Sequence, residues 1–304
     1  MKNDLHQVSL EETRQKAIWR TISNYMEVTK PRSVFLLAFT SIAAMIVAGG
    51  LNIPSNLFLQ ALVAIVAGCA GANVITGYID RDIDAAMERT KRRPIPARRI
   101  YPPQKALLWG LALALFSLFL AWRINPVSFV CMFLGLADNI IVYSLLTKRR
   151  SSLNIIWGGF SGGLPVLFGW TAATGRIDLV ALLVGALVVL WIPNHIWNLA
   201  IFYGDDYESV SVPMLPIVIG LQKALRCIVA TVLLMYALSI AIYFIGGFGP
   251  IYLSLALVFG LLIVVGNVGL LFKPSAERAW RMFKLSSPYL FILFVGMILD
   301  VLLK

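Results

Sequence analysis

Cysteine and histidine are scarce in this chain. Its 304 residues include three cysteines and two histidines, and Cys69, Cys131 and Cys227 stand far apart in apolar segments. They indicate no disulfide framework and no cysteine metal site, and two histidines exclude a histidine-rich metal centre. The first thirty residues carry four acidic side chains and no long apolar run. They therefore predict neither a cleaved signal peptide nor an acid-poor mitochondrial targeting segment.

Charge is also sparse. Only 13% of the residues are charged, whereas 59% are hydrophobic and the mean hydropathy is +0.82. No soluble domain of this length needs so much apolar surface, so the composition predicts a multi-pass membrane protein. Nine apolar stretches come near the roughly 20 residues that a helix needs to cross the hydrocarbon core. They lie at 33–51, 57–79, 106–124, 127–146, 154–173, 179–203, 225–246, 251–272 and 285–302.

The basic residues predict the orientation of these spans. If the N-terminus is cytoplasmic, 23 of the 26 lysines and arginines fall on the cytoplasmic side, as the positive-inside rule requires. The C-terminus then lies outside, and the membrane is predicted to be the plasma membrane of the cell. The net charge of +11 needs no nucleic-acid partner, because topology and anionic lipid headgroups account for it.

Two regions follow from this topology. Residues 1–32 are predicted to form a cytoplasmic arm with a short amphipathic helix on the membrane surface. Trp19 and Tyr25 would anchor this helix at the interface. Residues 33–304 are predicted to form a single membrane domain.

The densest group of charges follows the second predicted span. Asp80, Asp82 and Asp84 are followed by four cations within residues 89–93. On a helix, Thr76, Asp80 and Asp84 share one face and Asp82 points away. Two carboxylates one turn apart repel each other unless a cation lies between them, and Mg²⁺ combines carboxylate with phosphate oxygens. The pattern predicts a magnesium–diphosphate site in which arginines clamp the anion; the alternative is a solvated loop that serves only membrane topology.

A second acidic cluster occupies the corresponding place after the sixth predicted span. The run GDDYESVSVPMLP begins at Gly204 and contains Asp205, Asp206 and Glu208. Four spans separate it from the first cluster, which suggests two related halves around a shared cavity. A chance acidic loop is the alternative.

Several runs together resemble one family. The segment DRDIDAAMERTKRRPIP from Asp80 resembles the first aspartate-rich motif of the UbiA superfamily of intramembrane prenyltransferases. The resemblance runs from YMEVTKPR at Tyr25 to Gly220. It includes YSLLTKRRSSLNIIWGG, GGLPVLFGWTAATG and WIPNHIWNLAIFYGDDYESVSVPMLP. The KRxxxxN segment and the Trp-x-Pro-x-His-x-Trp run point to the branch whose acceptor is haem.

The resemblance implies an all-α bundle of nine transmembrane helices with a central cavity open near the cytoplasmic side. The implied reaction transfers a farnesyl group from farnesyl diphosphate to a vinyl group of haem b, and water addition then gives haem O for terminal oxidases. Mg²⁺ is the implied cofactor, and a haem A synthase is a candidate partner. Asp80, Asp84 and Asp206 would hold the metal. The diphosphate would bind Arg89, Arg93, Lys148 and Arg149, with Lys30 a weaker candidate.

His195 is the one histidine inside a predicted span. An ionisable group within the membrane is a functional candidate, and neutral imidazole is a common ligand of haem iron. We expect His195, with Trp191 and Trp197 of the same run, to face the haem. The alternative is an inter-helix hydrogen bond that holds a helix kinked at Pro193.

The chain departs from the family pattern at two positions. Thr76 replaces the usual asparagine before the first aspartate, and Asn73 lies near the same face and can compensate for it. Asn194 replaces the usual second proline before His195. Asp205 and Asn154 are further candidates for the site. Asp138, inside the fourth span, is expected to make a structural pair.

Two rival functions fit the same sequence in part. A UbiA-type enzyme for a quinone precursor or a glycerol phosphate lipid would need the same aspartates but not the Trp191–Trp197 run. A secondary transporter would place charges at the bilayer midplane, whereas nearly every charge here falls at one face.

Overall fold

The computed structural model describes residues 2–303, and it describes side chains for residues 15–50 and 52–303. Part of the predicted arm, the side chains of residues 1–14, lies outside the described residues. The described part of the chain contains helices and no strand, as the composition predicts. The helices are α1 (Lys2–Val28), α2 (Pro31–Gly49), α3 (Ser55–Ile79), α4 (Arg81–Ala86), α5 (Gln104–Ile124), α6 (Pro126–Ala137), α7 (Asn154–Trp157), α8 (Phe160–Thr174), α9 (Leu179–Phe202), α10 (Gly204–Ser209), α11 (Leu215–Val218), α12 (Leu221–Gly246), α13 (Pro250–Phe272) and α14 (Ala276–Leu302), with a 3₁₀ turn at Gly50–Asn52 and a π-helical segment at Asp138–Thr147.

Eight helices within the described residues are long and apolar enough to cross a membrane. They are α2, α3, α5, α6 with its π-helical extension, α9, α12, α13 and α14. Each overlaps one of the predicted spans. The last of them begins at Ala276, nine residues before the predicted start. The predicted span covered only the apolar residues, whereas the helix begins with exposed basic turns that precede them.

The predicted span at 154–173 is not one helix. Its residues form the short α7 and then α8, whose 15 residues extend about 22 Å, less than the roughly 30 Å of a bilayer core. The break falls at Gly158 and Gly159. A Cβ at Gly158 would lie 2.6 Å from Cδ2 of Tyr143, so the ring of Tyr143 occupies the space that a continuous helix with larger residues would fill. The structure thus supports eight spanning helices and a shorter central one.

Helix α8 is buried in the middle of the bundle, against α2, α6 and α9. Small residues allow this close packing, which is the usual means of helix association in a membrane. A Cβ at Gly169 would lie 1.8 Å from the carbonyl oxygen of Ser41 on α2. At the neighbouring contact between α3 and α5, a Cβ at Gly71 would lie 2.8 Å from the carbonyl oxygen of Gly110.

The π-helical segment changes the face on which the end of the fourth span presents its side chains. The amide of Lys148 donates to the carbonyl oxygen of Tyr143 at 2.8 Å, an i to i+5 bond that places these two residues on one face. At the start of the segment, Asp138 accepts a 2.8 Å hydrogen bond from the amide of Ser161 on α8. Asp138 therefore makes the expected structural pair, with a helix N-terminus rather than with a basic side chain.

Helix α1 is fastened to the loop that follows α4. Arg99 donates to both carboxylate oxygens of Glu27, at 2.6 and 2.5 Å, and to Asn24 at 3.0 Å. The end of α1 and the loop therefore form one wall, directly beside the acidic residues of α3 and α4. Tyr25 packs edge-on against Trp109, while Trp19 is exposed.

Candidate active site

The three aspartates of the first cluster lie where α3 turns into α4. Asp80 links the two helices, and the amide of Asp84 bonds to the carbonyl oxygen of Asp80 at 2.8 Å. One helical turn therefore separates the two carboxylates, and both are buried at 5% exposure. The side chain of Asp82 is 63% exposed, as its predicted position on the other face requires.

Cations from the end of the π-helical segment reach these acids. Lys148 forms an ion pair with Asp80, and Arg149 donates to both oxygens of Asp82 at 2.7 Å. These bonds from Arg149 lower the pKa of Asp82 to about 2. The ring centroid of Tyr143 lies 5.7 Å from the Lys148 ammonium, so the structure brings an aromatic face and a cation together beside Asp80.

Asp84 has its own cation, from the loop. Arg93 donates to its two carboxylate oxygens at 3.0 and 2.8 Å, and the hydroxyl of Thr90 donates to its backbone carbonyl at 2.9 Å. The loop thus folds back over α4, and Arg93, a predicted diphosphate ligand, contacts the Asp84 carboxylate in this structure.

Lys30 lies opposite this pair, at the turn from α1 into α2. Its backbone is left-handed, with φ of 56°, which is uncommon for a lysine and is often found at functional sites. Burial, together with the nearby charge of Arg93, lowers the pKa of Lys30 to about 8. None of the described side chains forms an ion pair with it. Lys30 is therefore a cation available for an incoming anion.

The two acidic loops meet, as the symmetry of their positions predicts. Asp206 accepts from the backbone amides of Glu88 at 3.0 Å and Arg89 at 3.2 Å. The guanidinium of Arg89 donates to the hydroxyl of Tyr207 at 3.3 Å and lies 5.1 Å from the ring centroid of Tyr203. Asp206 thus joins the loops and has both oxygens engaged, while the Nε of Arg89 is buried without a hydrogen-bond partner.

A cavity of about 490 Å³ lies between the first acidic loop and the turn at Lys30, and we call it the polar cavity because five charged side chains line it. Asp84, Arg93, Lys30 and Glu27 line it, together with Arg32 at the start of α2. Its walls therefore combine carboxylates with cations, as an anion that binds through a divalent metal requires.

A larger apolar cavity of about 860 Å³ lies beside the polar one. Arg32 and Ser33 line both cavities, so the two adjoin there. Asn73 and Tyr143 form part of its wall on the side of Asp80. The volume falls within the roughly 300–1,000 Å³ of small-molecule sites, and the apolar lining suits a prenyl chain or a flat macrocycle.

His195 is on the wall of the apolar cavity. Its Nδ1 lies 2.7 Å from the hydroxyl oxygen of Ser286, and that hydroxyl lies 2.7 Å from the carbonyl oxygen of Phe283, to which it donates. With the hydroxyl proton on the Phe283 carbonyl, Nδ1–H donates to Ser286 and Nε2 carries the lone pair. That tautomer leaves an available metal-binding nitrogen.

An aromatic stack continues on either side of His195. Its ring lies 4.4 Å from Trp191 and 4.3 Å from Phe283, and Trp280 follows at 5.0 Å from Phe283. Trp191 lines the cavity, as expected. Trp197 does not: it is buried in the packing between helices, with its indole nitrogen lacking a partner, because six residues separate it from Trp191 and place it on another face of α9.

The remaining candidates lie around the acids, and none of their side chains forms a hydrogen bond with the carboxylates of Asp80, Asp84 or Asp206. Thr76 donates to the carbonyl oxygen of Asn73 in its own helix at 3.2 Å. Asn73 donates to the carbonyl oxygen of Thr29 at 2.9 Å. Asn154 is fully buried and donates to the carbonyl oxygen of Lys148 at 3.2 Å. Asp205 is exposed. Their contacts indicate positioning of the neighbouring backbone.

The donor set around Asp80 suits a hard cation. Asp80 Oδ1 is buried without a hydrogen bond, and the Nη2 of Arg149 lies 3.9 Å from it. Carboxylate oxygens of this kind are the ligands that Mg²⁺ prefers. Among the described residues, no three acidic, histidine or cysteine side chains are grouped closely enough to hold a metal. Lys148 and Arg93 pair with Asp80 and Asp84 here.

Several residues of the site were not singled out by the sequence. Tyr143 and Tyr207 lie within the motifs that resemble the family, but nothing in their spacing indicates that Tyr143 faces Lys148 or that Tyr207 faces Arg89. Ser286 is separated by 91 positions from His195, and no local pattern connects them. Arg32 was not singled out because the positive-inside rule already accounts for the basic residues at the cytoplasmic end of the first span.

The fold and this arrangement of acids define a family. Residues 36–295 match the sequence model described as the UbiA prenyltransferase family, and the chain belongs to that family.

The chain is also similar to named relatives and solved structures. It is 53% identical over 285 residues to "Protoheme IX farnesyltransferase" of Desulforudis audaxviator, covering 93% of this chain and 90% of the relative. It is 39% identical to the protein of the same name from Korarchaeum cryptofilum, over 92% and 94% of the two chains.

Among solved structures, a digeranylgeranylglyceryl phosphate synthase matches with a TM-score of 0.78 at 20% identity, over 93% of this chain and 99% of that chain. A UbiA homologue from Archaeoglobus fulgidus bound to GPP and Mg²⁺ matches with a TM-score of 0.65 at 16% identity, over 90% and 99%. At these identities the structures establish the fold alone.

Proposed function

We propose that this membrane enzyme transfers the farnesyl group of farnesyl diphosphate to a vinyl group of haem b and so produces haem O. The observation that carries the proposal is the pair of adjoining cavities, one polar and charged, the other apolar with a histidine on its wall. The names of the relatives and the family membership support the same reaction.

The diphosphate end of the substrate belongs in the polar cavity. Asp80 and Asp84 would hold Mg²⁺, with Asp206 reaching the same site once its amide bonds rearrange, and the metal would neutralise the charge that develops on the leaving diphosphate. Lys30 faces the cavity without an ion pair among the described side chains. Arg93 lines the same cavity. Arg89, Lys148 and Arg149, which lie on or against the acidic loops, would complete the anion site.

The reaction begins with loss of the diphosphate. The allylic carbon–oxygen bond breaks with its electron pair on the diphosphate, which the surrounding cations stabilise. The vinyl group attacks the allylic carbon, and the new cation next to the porphyrin takes up water and loses a proton. The ring of Tyr143 stands between the acids and the apolar cavity, where its face can stabilise the positive charge.

The apolar cavity would hold the haem and the farnesyl tail, away from water. His195 offers Nε2 to the iron while Ser286 fixes the opposite nitrogen. Such an outer hydrogen bond orients a ligating imidazole. The flat ring stack with Trp191 and Phe283 gives the macrocycle an extended apolar surface.

The orientation in the plasma membrane follows from the distribution of charge. We place the acid-rich end on the cytoplasmic side, because the basic residues concentrate there. Helices α7 and α8 together would make the ninth crossing, with the short α8 protected from lipid by its neighbours.

Haem extraction tests the proposal. The chain is expressed in cells that lack haem O, and the membrane haems are analysed by mass spectrometry. Haem b that carries a hydroxyethylfarnesyl group is the expected product, and Asp80→Asn is the inactive control. Prenylated quinone precursor or glycerol phosphate lipid without haem O would instead establish another UbiA-type activity.

A further inference from the structure

We propose that Arg32 and Lys284 bind the two propionate groups of haem b at the mouth of the apolar cavity. The inference rests on the proposed function, because it assigns the part of the site that holds the polar edge of that acceptor. Neither residue belongs to the acidic loops or contacts the aspartates.

The mouth of the cavity lies between α2 and α14. Among the residues that line the cavity, the exposed ones all belong to these two helices. Phe35 is 64% exposed and Phe291 is 37% exposed, and Arg32, Ser33 and Pro288 complete the set. A bulky apolar molecule with a polar edge can therefore enter here and keep that edge outward.

Both helices begin at the acid-rich end of the molecule. Arg32 lines the polar cavity with Asp84, which places the N-terminus of α2 there. Trp280, in the first turns of α14, stacks on Phe202 at the end of α9 at 4.7 Å, and α9 leads directly into the acidic loop of Asp206. The two helices therefore run in the same direction.

Their register places the two cations at the same height. Phe39 of α2 stacks on Phe291 of α14 with 4.3 Å between ring centroids. Arg32 and Lys284 each precede this pair by seven residues, so both lie about 10 Å above it toward the acid-rich end. One cation thus stands on each side of the mouth. Two carboxylates on adjacent pyrroles of one haem edge match this arrangement.

Both cations are available for an anion. Within the described part of the chain, neither side chain has an ion pair or a hydrogen bond. The ammonium of Lys284 lies 5.6 Å from the ring centroid of Trp280, at one end of the aromatic stack that leads to His195. Trp280 precedes Ser286, the partner of His195, by six residues, or about 9 Å of helix. This distance along α14 is comparable to the distance from the iron of a haem to its propionate groups, so His195 can bind the iron while Lys284 binds a propionate.

The assignment also orients the acceptor. Propionates at the mouth direct the opposite, vinyl-bearing edge of the macrocycle across the cavity. The wall on that side includes Asn73 and Tyr143, next to Asp80 and Lys148. The vinyl edge then meets the allylic end of the farnesyl chain where its diphosphate leaves.

The test compares haemin with haemin dimethyl ester, in which both propionates are neutral. The full chain is purified in detergent, and each compound is titrated against it through the Soret band. The wild type should bind haemin about 25-fold more tightly than the ester, from about fivefold for each accessible ion pair. Arg32→Gln and Lys284→Gln should each reduce this ratio about fivefold, and the double variant should bring it near one.

Arg281→Gln is the matched control, since Arg281 is exposed on the same helix three residues before Lys284, and so lies about 4.5 Å farther from the mouth along the helix axis. Its ratio should equal that of the wild type. Because the ratio is taken within each variant, a partly misfolded variant does not change it.

Three results would overturn the inference. The first is a wild-type ratio near one. The second is an unchanged ratio in the double variant, as expected if the two cations bind only lipid headgroups. The third is an Arg32→Gln variant whose KM rises for farnesyl diphosphate while its haemin ratio is retained, which would make Arg32 a diphosphate ligand. A wild type that discriminates the ester yet forms no haem O would refute the proposed reaction and leave the propionate assignment intact.

Discussion

Replacing Gly158 by alanine should impair catalysis by moving Tyr143. The added Cβ would lie 2.6 Å from Cδ2, 2.7 Å from Cβ and 2.8 Å from Cγ of Tyr143. Because the contact reaches the root of the side chain, a change of rotamer does not relieve it. The ring must shift by about 0.8 Å to reach an ordinary contact of 3.4 Å.

The size of the effect follows from the place of Tyr143 between Lys148 and the apolar cavity. A displacement near 1 Å at a reacting centre can cost up to about a hundredfold in rate. We expect kcat to fall about ten- to a hundredfold, or about 1.4–2.7 kcal/mol of transition-state stabilisation. KM for farnesyl diphosphate should change much less, because the acids and the unpaired Lys30 stay in place.

The assay measures haem O formation by purified protein at saturating substrates. Gly135→Ala is the control, because Gly135 lines the same cavity and its Cβ would meet Leu164 at an ordinary 3.4 Å. A double variant with Tyr143→Gly, which removes the contacted Cβ as well as the ring, tests the route: Gly158→Ala should cost little more in that background. Full activity of Gly158→Ala, or the same loss in both backgrounds, would refute the reasoning.

Three further predictions concern the acids, the histidine and the lysine. Asp80→Asn should lower turnover more than a hundredfold, whereas Asp82→Asn should keep most activity; equal losses in the haem O assay would contradict the assignment of faces. His195→Ala should weaken haem binding and shift the Soret band with farnesyl diphosphate affinity unchanged, and an unaltered spectrum would leave His195 a structural role. Because burial lowers the pKa of Lys30 to about 8, its charge is present below that pH and lost above it. The KM for farnesyl diphosphate should therefore rise as the pH passes 8 and should be flatter in Lys30→Arg, and equal profiles would exclude Lys30 as a ligand.

The sequence predicts the helical membrane fold because length, hydropathy and the positive-inside rule act locally. It also predicts that Asp80 and Asp84 share a face, since that depends only on the helical repeat. The break at Gly158 is different: glycine does not lower hydropathy, and the break reflects the ring of Tyr143 from another helix. In the same way, the face of α9 that meets the cavity depends on packing against α14, so Trp191 and Trp197 look equivalent in the sequence.

The ion-pair partners of the charged residues could not be predicted from the local sequence pattern either. Arg93 and Lys148 are recognisable as cations of the site, but their sequence does not indicate that they bind Asp84 and Asp80 before any substrate arrives. The π-helical register that presents Lys148 beside Tyr143 depends on the contacts of a ten-residue segment with α3, α7 and α8. Neither arrangement follows from spacing.

If the proposed site is right, the pairing of each acid with a built-in cation would make substrate loading an ion exchange. Asp80 and Asp84 would then hold the metal in place of Lys148 and Arg93, and the released cations would bind the phosphates. Few mobile ions then need to leave, so affinity for the metal–diphosphate complex should depend only weakly on bulk salt. The enzyme also avoids exposing two bare carboxylates between turnovers, at a depth where water screens them poorly.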